Sequence, residues 1–436
     1  MKRLKDTVLI YYFLIKLLVK VYWGSRGRRN SKNNTTKKML LLAPGLPPDS
    51  GSGAHRPTSL LRYAGHTNWA INAISDPISY PDSSAGRYLA STIPKTVMID
   101  RFEKIALTPS WKLMPKIDGG FQNVLSIVDF SIKKYKDDPP DIVMSTSPPF
   151  YFAVAAYYVA KYFNANFVFE YRDEWTQCPF DFVTSGKLDK YYEKKLLDKA
   201  SAVIYTTESQ RDRQFKIFRG KCKNVFVIPN GWEANDVDGT VSVNSQEKIR
   251  KEKVIISFIG QMATHSFPIE FLKTLQELLS KNELAKDKLL VRFIGRKPQE
   301  ALDILKAFPF PSNIEILDQV TKPEALNCMK DSDALLIFST PDLARYRPGK
   351  LYDYIASGTP IVIFGAKGEA SELVENLGVG VHISEKDKDG FNVLLESLMS
   401  HDRVIEVNKD VVNKWLIEHS RESLALSLFS KLDKIR

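Results

Sequence analysis

A chain of 436 residues is long enough for two or three domains with real cores, and 44% hydrophobic with 26% charged residues excludes a disordered or collagen-like protein. The net charge of +11 invites a nucleic-acid reading, but residues 1–38 hold 11 Lys/Arg against one acid, Asp6, so the remaining body is close to neutral and no nucleic-acid partner is expected. Cys178, Cys222 and Cys328 form no CxxC pair, which excludes a zinc cage and a disulfide framework and suits small buried hydrophobes in a reducing compartment.

The arm, residues 1–37, carries an apolar run from Val8 to Trp23 between basic clusters. As a helix that run reaches only about 24 Å, short of the roughly 30 Å hydrocarbon core of a bilayer. Lys5, Tyr12, Lys16 and Lys20 fall on one stripe of the wheel. This fits a helix lying in the membrane interface with its lysines reaching the headgroups; a docked core helix is the alternative reading. Internal lysines and the missing small-residue cleavage site disfavour a signal peptide. The expected partner of the arm is an anionic membrane surface. The positive-inside rule then puts the body at the cytoplasmic face of the inner (plasma) membrane, peripheral or monotopic.

From residue 38 short apolar runs alternate with helical stretches. Strands are expected at residues 39–44, 69–75, 141–147, 166–172, 202–207 and 225–229, with helices including 149–164 and 188–200. Residues 233–253 read as a polar linker, after which the alternation restarts with IISFIG, LLVRFIG, IEILD, ALLIFS, PIVIFG and VGVHIS separated by helices. The expected fold class is α/β, with two Rossmann-like doubly wound domains, 38–235 and 250–405, facing a cleft. Helices over residues 406–436 are expected to brace the two.

Ligands of open parallel sheets bind beyond the carboxyl ends of the strands, so the loops there hold the candidates. Gly51 and Gly53, in PGLPPDSGSGAHRP, would let backbone N–H groups approach an anion ahead of a helix opening near Pro57. STSPPF supplies Ser147, whose hydroxyl, with its neighbours, reads first as a helix cap and second as a ligand. In EYRDEW the charges Glu170, Arg172, Asp173 and Glu174 cluster at a strand end; Asp173 either accepts a hydrogen bond from a sugar hydroxyl or pairs with Arg172. The most specific segment is residues 338–364, where Arg345, Arg347 and Lys350 crowd the start of a helix and Gly349 leaves room for a ligand. A diphosphate suits that place, and the absence of GxxxxGK[ST] disfavours a nucleotidase.

On these residues the chain resembles a GT-B glycosyltransferase of the large family-4 group, in the branch that makes bacterial surface polysaccharides, from residue 39 to the C-terminus. PGKLYDYIASGTPI resembles the signature PxKxxEYxAxGxPI and matches it at Lys350, Asp353, Gly358 and Pro360. NVFVIPNGWE matches an IPNG-plus-acid signature, and FVFEYRDEW resembles a strand followed by RDPW, with Glu174 in place of proline. The resemblance implies transfer of a sugar from a nucleotide-diphosphate donor, held mainly by the second domain, to a glycan acceptor entering through the first. Retention of configuration and independence of metal or cofactor follow from it, and the membrane arm makes a polyprenyl-linked acceptor plausible.

Asp353 matches the family acid on the donor ribose, Lys350 is the expected anchor of the diphosphate, and Gly260 and Gly295, ending the first two strands of the second domain, complete the donor set. Arg172, Glu174 and Ser147 are the acceptor-side candidates; Lys350, Arg345 and Asp173 are the catalytic ones. Two departures stand out. Arg345 occupies the place of a family Glu, and GQMATHSFP offers only His265 where many relatives have Arg and Lys. Arg345 leaves open an inactive membrane adaptor that binds a sugar nucleotide or glycan, and an epimerase on the same fold is a third reading. Asp331-Ser332-Asp333 resembles the metal-holding DxD of the other main glycosyltransferase fold but reads as a helix end before a buried strand.

Overall fold

A computed structural model describes residues 2–24, 36–79, 84–105, 117–180, 182–234, 253–262, 268–400 and 407–435, the Lys388 side chain excepted. The chain divides into two compact units: residues up to Pro229 together with Glu422–Arg436, and Asn230–Arg421.

The first unit contains α1 (Lys2–Gly24), β1 (Lys37–Leu42), α2 (His55–Tyr63), β2 (Trp69–Ser75), α3 (Ser84–Ser91), β3 (Ile99–Arg101), α4 (Phe121–Tyr135), β4 (Ile142–Ser147), α5 (Tyr151–Phe163), β5 (Asn166–Tyr171), α6 (Lys187–Lys199), β6 (Ala202–Tyr205), α7 (Glu208–Phe218) and β7 (Val225–Val227). Its seven strands run in the order β3-β2-β1-β4-β5-β6-β7. All are parallel, with Met39 opposite Ile71 on one side and Ile142 on the other. Continuous burial along β4 and nearly all of β5 explains why their sequences show no alternation: helices cover both faces.

The second unit contains β8 (Val254–Ile259), α8 (Ile269–Lys281), α9 (Glu283–Lys288), β9 (Leu289–Ile294), α10 (Gln299–Lys306), β10 (Ile314–Leu317), α11 (Lys322–Asp331), β11 (Ala334–Ser339), α12 (Gly349–Ser357), β12 (Ile361–Gly365), α13 (Glu369–Leu377), β13 (Gly380–Ile383), α14 (Lys388–Ser400) and α15 (Lys409–Glu418). The order is β10-β9-β8-β11-β12-β13, again all parallel. In each sheet the direction of winding reverses beside the first strand, at β1/β4 and at β8/β11. Those switch points are where loops part and a ligand finds room.

Asp331-Ser332-Asp333 closes α11 ahead of buried β11, as its sequence reads, and lies at the amino ends of the strands: the Asp333 carboxylate accepts the Ile255 N–H at 2.8 Å and Ser332 Oγ bonds Ser257 Oγ at 2.6 Å. Two sequence expectations need correction. The hydroxyls of β4 do not cap α5. Its start is held by Asp118, whose carboxylate accepts the Phe150 N–H at 2.7 Å. Lys20, expected among headgroups, bonds Asp129 at 3.1 Å, because α1 packs on α4 and α5. The tail forms two helices: Val412 and Leu416 of α15 enter the second unit's core, while Leu428 and Phe429 of α16 (Arg421–Leu432) pack with Met39, Leu41 and Trp69 in the first.

Candidate functional site

In the second unit the site is built on the β8/β11 switch point. β8 ends at Ile259, and the chain turns at Gly260 with φ +135, a conformation that disfavours a side chain; a Cβ there would press 3.1 Å from Lys350 Cε and Nζ. The turn is fixed from below by Tyr354 of α12, whose buried hydroxyl accepts the Ile259 N–H at 2.8 Å and donates to the Ile259 carbonyl at 3.0 Å. Leu351, Tyr352 and Ile355 bury the inner side of α12 in the same core. That leaves Gly349 and Lys350 at its first turn, where no side chain caps the free N–H groups. A Cβ on Gly349 would meet open space, so backbone here is approachable from solvent.

Lys350 folds back over the sheet end. Its Nζ sits 3.6 Å from the centre of the Phe258 ring and 3.5 Å from the Gln261 carbonyl. Among the described residues no carboxylate pairs with it. The side chain is half-buried, and loss of hydration without a counter-charge pushes its pKa down to about 7. The resting lysine is therefore poised between neutral and charged, and an arriving anion would supply the missing partner.

The other cations of the segment are engaged differently. Arg347 forms an ion pair of 2.6 Å with Glu369 at the start of α13, while its buried Nε has no hydrogen-bond partner among the described residues. Asn230 Nδ2 donates to its carbonyl at 3.4 Å. Arg345 donates to the Asp342 carbonyl at 3.2 Å and lies over the Tyr346 ring at 5.3 Å. Asp353 pairs with Lys322 of α11 at 2.6 Å. Gly295 is buried at the end of β9 against the Gly260 carbonyl. His265 lies outside the described residues.

Sequence reasoning missed Lys297, which donates to the Gly295 and Leu317 carbonyls, both at 2.7 Å, and brings a second ammonium to the strand ends. Burial, opposed by Asp318, lowers its pKa. It also missed Phe258, Tyr354, Lys322 and Glu369, although Arg345, Arg347, Gly349 and Lys350 at a helix start had marked the region.

In the first unit the carboxyl ends of β1, β4 and β5 gather the acceptor-side candidates. Arg172 is committed to backbone: Nη1 donates to Gly53 O at 2.5 Å and Nη2 to Pro148 O. Gly53 thus supports Arg172, and Gly51 is exposed two residues earlier. Glu174 is buried and lies 3.7 Å from Arg213. Arg56, unremarked in the sequence, clamps buried Glu170 through Nε at 3.0 Å and Nη2 at 2.8 Å and donates to Pro229 O at 2.7 Å. Asp173 has no ion pair within hydrogen-bond reach among the described residues; burial, opposed by the nearby Arg172 guanidinium and aided by Glu174, raises its pKa to about 6. Beside this strand end, Ser145, Thr146 and Ser147 have buried hydroxyls, and Glu170 a buried Oε2, without hydrogen-bond partners among the described residues.

No family model and no curated protein matches this chain. Solved structures do. Sucrose-phosphate synthase from Thermosynechococcus elongatus superposes with a TM-score of 0.67 at 12% identity, over 91% of this chain and 98% of the other. A glycosyltransferase from Rickettsia africae gives 0.65 at 15% identity over 92% and 98%. Anabaena Alr3699/HepE, solved with UDP and glucose, gives 0.65 at 12% identity over 92% and 100%. Likeness of this extent at such low identity establishes architecture, and the chain has the GT-B fold.

Proposed function

We propose that this protein is a glycosyltransferase that moves a sugar from a nucleotide-diphosphate donor to a glycan acceptor. The observation that carries this reading is Lys350: an ammonium with no carboxylate partner among the described residues, at the β8/β11 switch point and the N-terminus of α12, which no side chain caps, on a GT-B fold. Departure of the diphosphate is the costly event in such a transfer, and a fixed cation with helix N–H groups behind it stabilises charge as it develops on the leaving phosphate. Lys350 and the first turn of α12 hold the diphosphate. Asp353 takes the ribose, exchanging its partner Lys322, and Lys297 supports the strand ends. Arg347 orders the loop through Glu369. Several structural neighbours are named as sugar transferases, and HepE was solved with UDP-glucose, which supports a uridine-type donor.

On the acceptor side, Asp173 is the group we assign to a sugar hydroxyl, with Ser147 beside it. Arg172 and Glu174 act as its scaffold. We place the reaction at the cytoplasmic face of the inner membrane on a lipid-linked glycan, a reading supported by the basic, apolar arm. Arg345, in the position of a family Glu, favours a second reading, a binding-only relative. One experiment separates them: a sugar-nucleotide panel is screened by thermal shift, since a bound donor stabilises the fold by mass action, and the hit is assayed for labelled, lipid-extractable product. Turnover lost in Lys350→Ala with the fold intact supports transfer. Binding without turnover supports the adaptor, and unchanged turnover removes Lys350 from the site.

A further inference from the structure

Helix α1 is long and apolar enough to cross a bilayer. One side of it, however, is sealed along nearly its whole length. Asp6, Thr7, Ile10, Leu17 and Val21 are buried where α1 packs against α4 and α5, a docked stretch of about 22 Å. The Lys20–Asp129 pair adds to this seam, and Gly24 lies so close to the Tyr162 ring that any Cβ would overlap it. A spanning helix would leave the body behind and carry none of these contacts.

The opposite side is apolar and open: Leu4, Val8, Tyr12, Ile15, Val19 and Trp23 are each more than half exposed. At roughly 100° per residue this arc is centred across the helix from the buried one, with exposed Lys5 and Lys16 on its border. Of the 11 basic residues that residues 1–38 hold against one acid, Lys20, Lys37 and Lys38 pair with Asp129, Asp433 and Asp138, and the other eight complement an anionic surface. An apolar arc, a docked arc facing it and a cationic edge are the three features of a helix lying in one leaflet with a water-soluble body above it.

We propose that α1 lies in the plane of an anionic bilayer, its outer face inserted in one leaflet and its inner face still packed on α4 and α5. The inference rests on the membrane location proposed above and is independent of the transfer reaction. The test uses the full-length protein and vesicles of phosphatidylglycerol with phosphatidylethanolamine, against pure phosphatidylcholine. The protein is expected to float with the anionic vesicles at least tenfold better. Val8→Asp/Ile15→Asp, at exposed positions that leave the fold and melting temperature unchanged, is expected to lose flotation at least tenfold.

Orientation is read from environment-sensitive labels on cysteines placed singly at positions 8, 15, 19 and 22, with Cys178, Cys222 and Cys328 replaced by serine. Equal shallow depths are expected. A depth gradient along the helix overturns the in-plane inference while leaving membrane location standing. Failure of the wild type to float overturns both. A lipid-independent dimer abolished by Ile15→Asp, without vesicle binding, assigns the face to a second copy and also overturns the proposal.

Discussion

Under the proposed function, UDP affinity is expected to depend on pH through Lys350, and the sign of the dependence follows from its surroundings. Its pKa in the free protein is about 7, against an ordinary 10.5, because the ammonium is stripped of water over Phe258 with no acid beside it among the described residues. A bound diphosphate supplies that acid and restores the proton. At pH 7 half of the free protein carries the charge; at pH 9 about 1% does. UDP affinity is therefore expected to fall about 50-fold between pH 7 and pH 9, or about 2.3 kcal/mol, in a range where the terminal phosphate, with a second pKa near 6, is already ionised.

Calorimetry in two buffers of different protonation enthalpy reads the same event as proton uptake, about half a proton at pH 7 and nearly one at pH 9. Lys350→Arg keeps its charge and should flatten the profile. Lys350→Met should bind weakly at every pH. The apo protein supplies the opposite sign: the unfolded chain holds the lysine proton up to 10.5 and the native state only to about 7, so native stability gains from this group as pH rises across that window. Below pH 7 the native state bears a desolvated charge, and Lys350→Met should raise the apo melting temperature there while weakening UDP binding. Wild-type affinity that is level from pH 7 to 9, or a slope shared by Lys350→Met, refutes the reasoning.

Other consequences follow from the same geometry. Tyr354→Phe removes the hydroxyl that bridges Ile259 N–H and C=O, with an expected loss of about 1–3 kcal/mol in urea unfolding and a raised donor KM, because the Gly260 turn loses its support. Asp173→Asn should leave UDP binding unchanged and lower transfer. In the wild type, acceptor kcat/KM should fall tenfold per unit below pH 6 as the raised carboxylate takes up its proton, a limb that Asp173→Asn lacks. Glu170→Ala leaves the Arg56 guanidinium buried without its carboxylate and should cost about 3–5 kcal/mol by denaturant titration, whereas Arg56→Met/Glu170→Met should recover most of it.

Much of the fold was legible because its cause is local. Runs such as VIISFI and ALLIFS are continuous, β-branched and bounded by turns, so they read as strands buried on both faces, and their alternation with helices fixes a doubly wound sheet. Lys350 was legible for the same reason: proline, glycine and lysine at a helix start form a pattern within one turn. Short elements such as β3, three residues long, carried too little periodicity to be read.

The environment of each charge was decided only by tertiary structure, since its partners come from distant strands and helices. Arg347 meets Glu369, Asp353 meets Lys322, and Arg172 is spent on the carbonyls of Gly53 and Pro148, so that it offsets only part of the burial of Asp173. Sequence shows which residues can carry charge; protonation and availability depend on how much water is removed and what lies within hydrogen-bond reach, and both are properties of the packed chain. The same holds for α1. Composition marked it as an apolar helix within a basic arm, whereas its docking on α4 and α5 determined which face is left exposed.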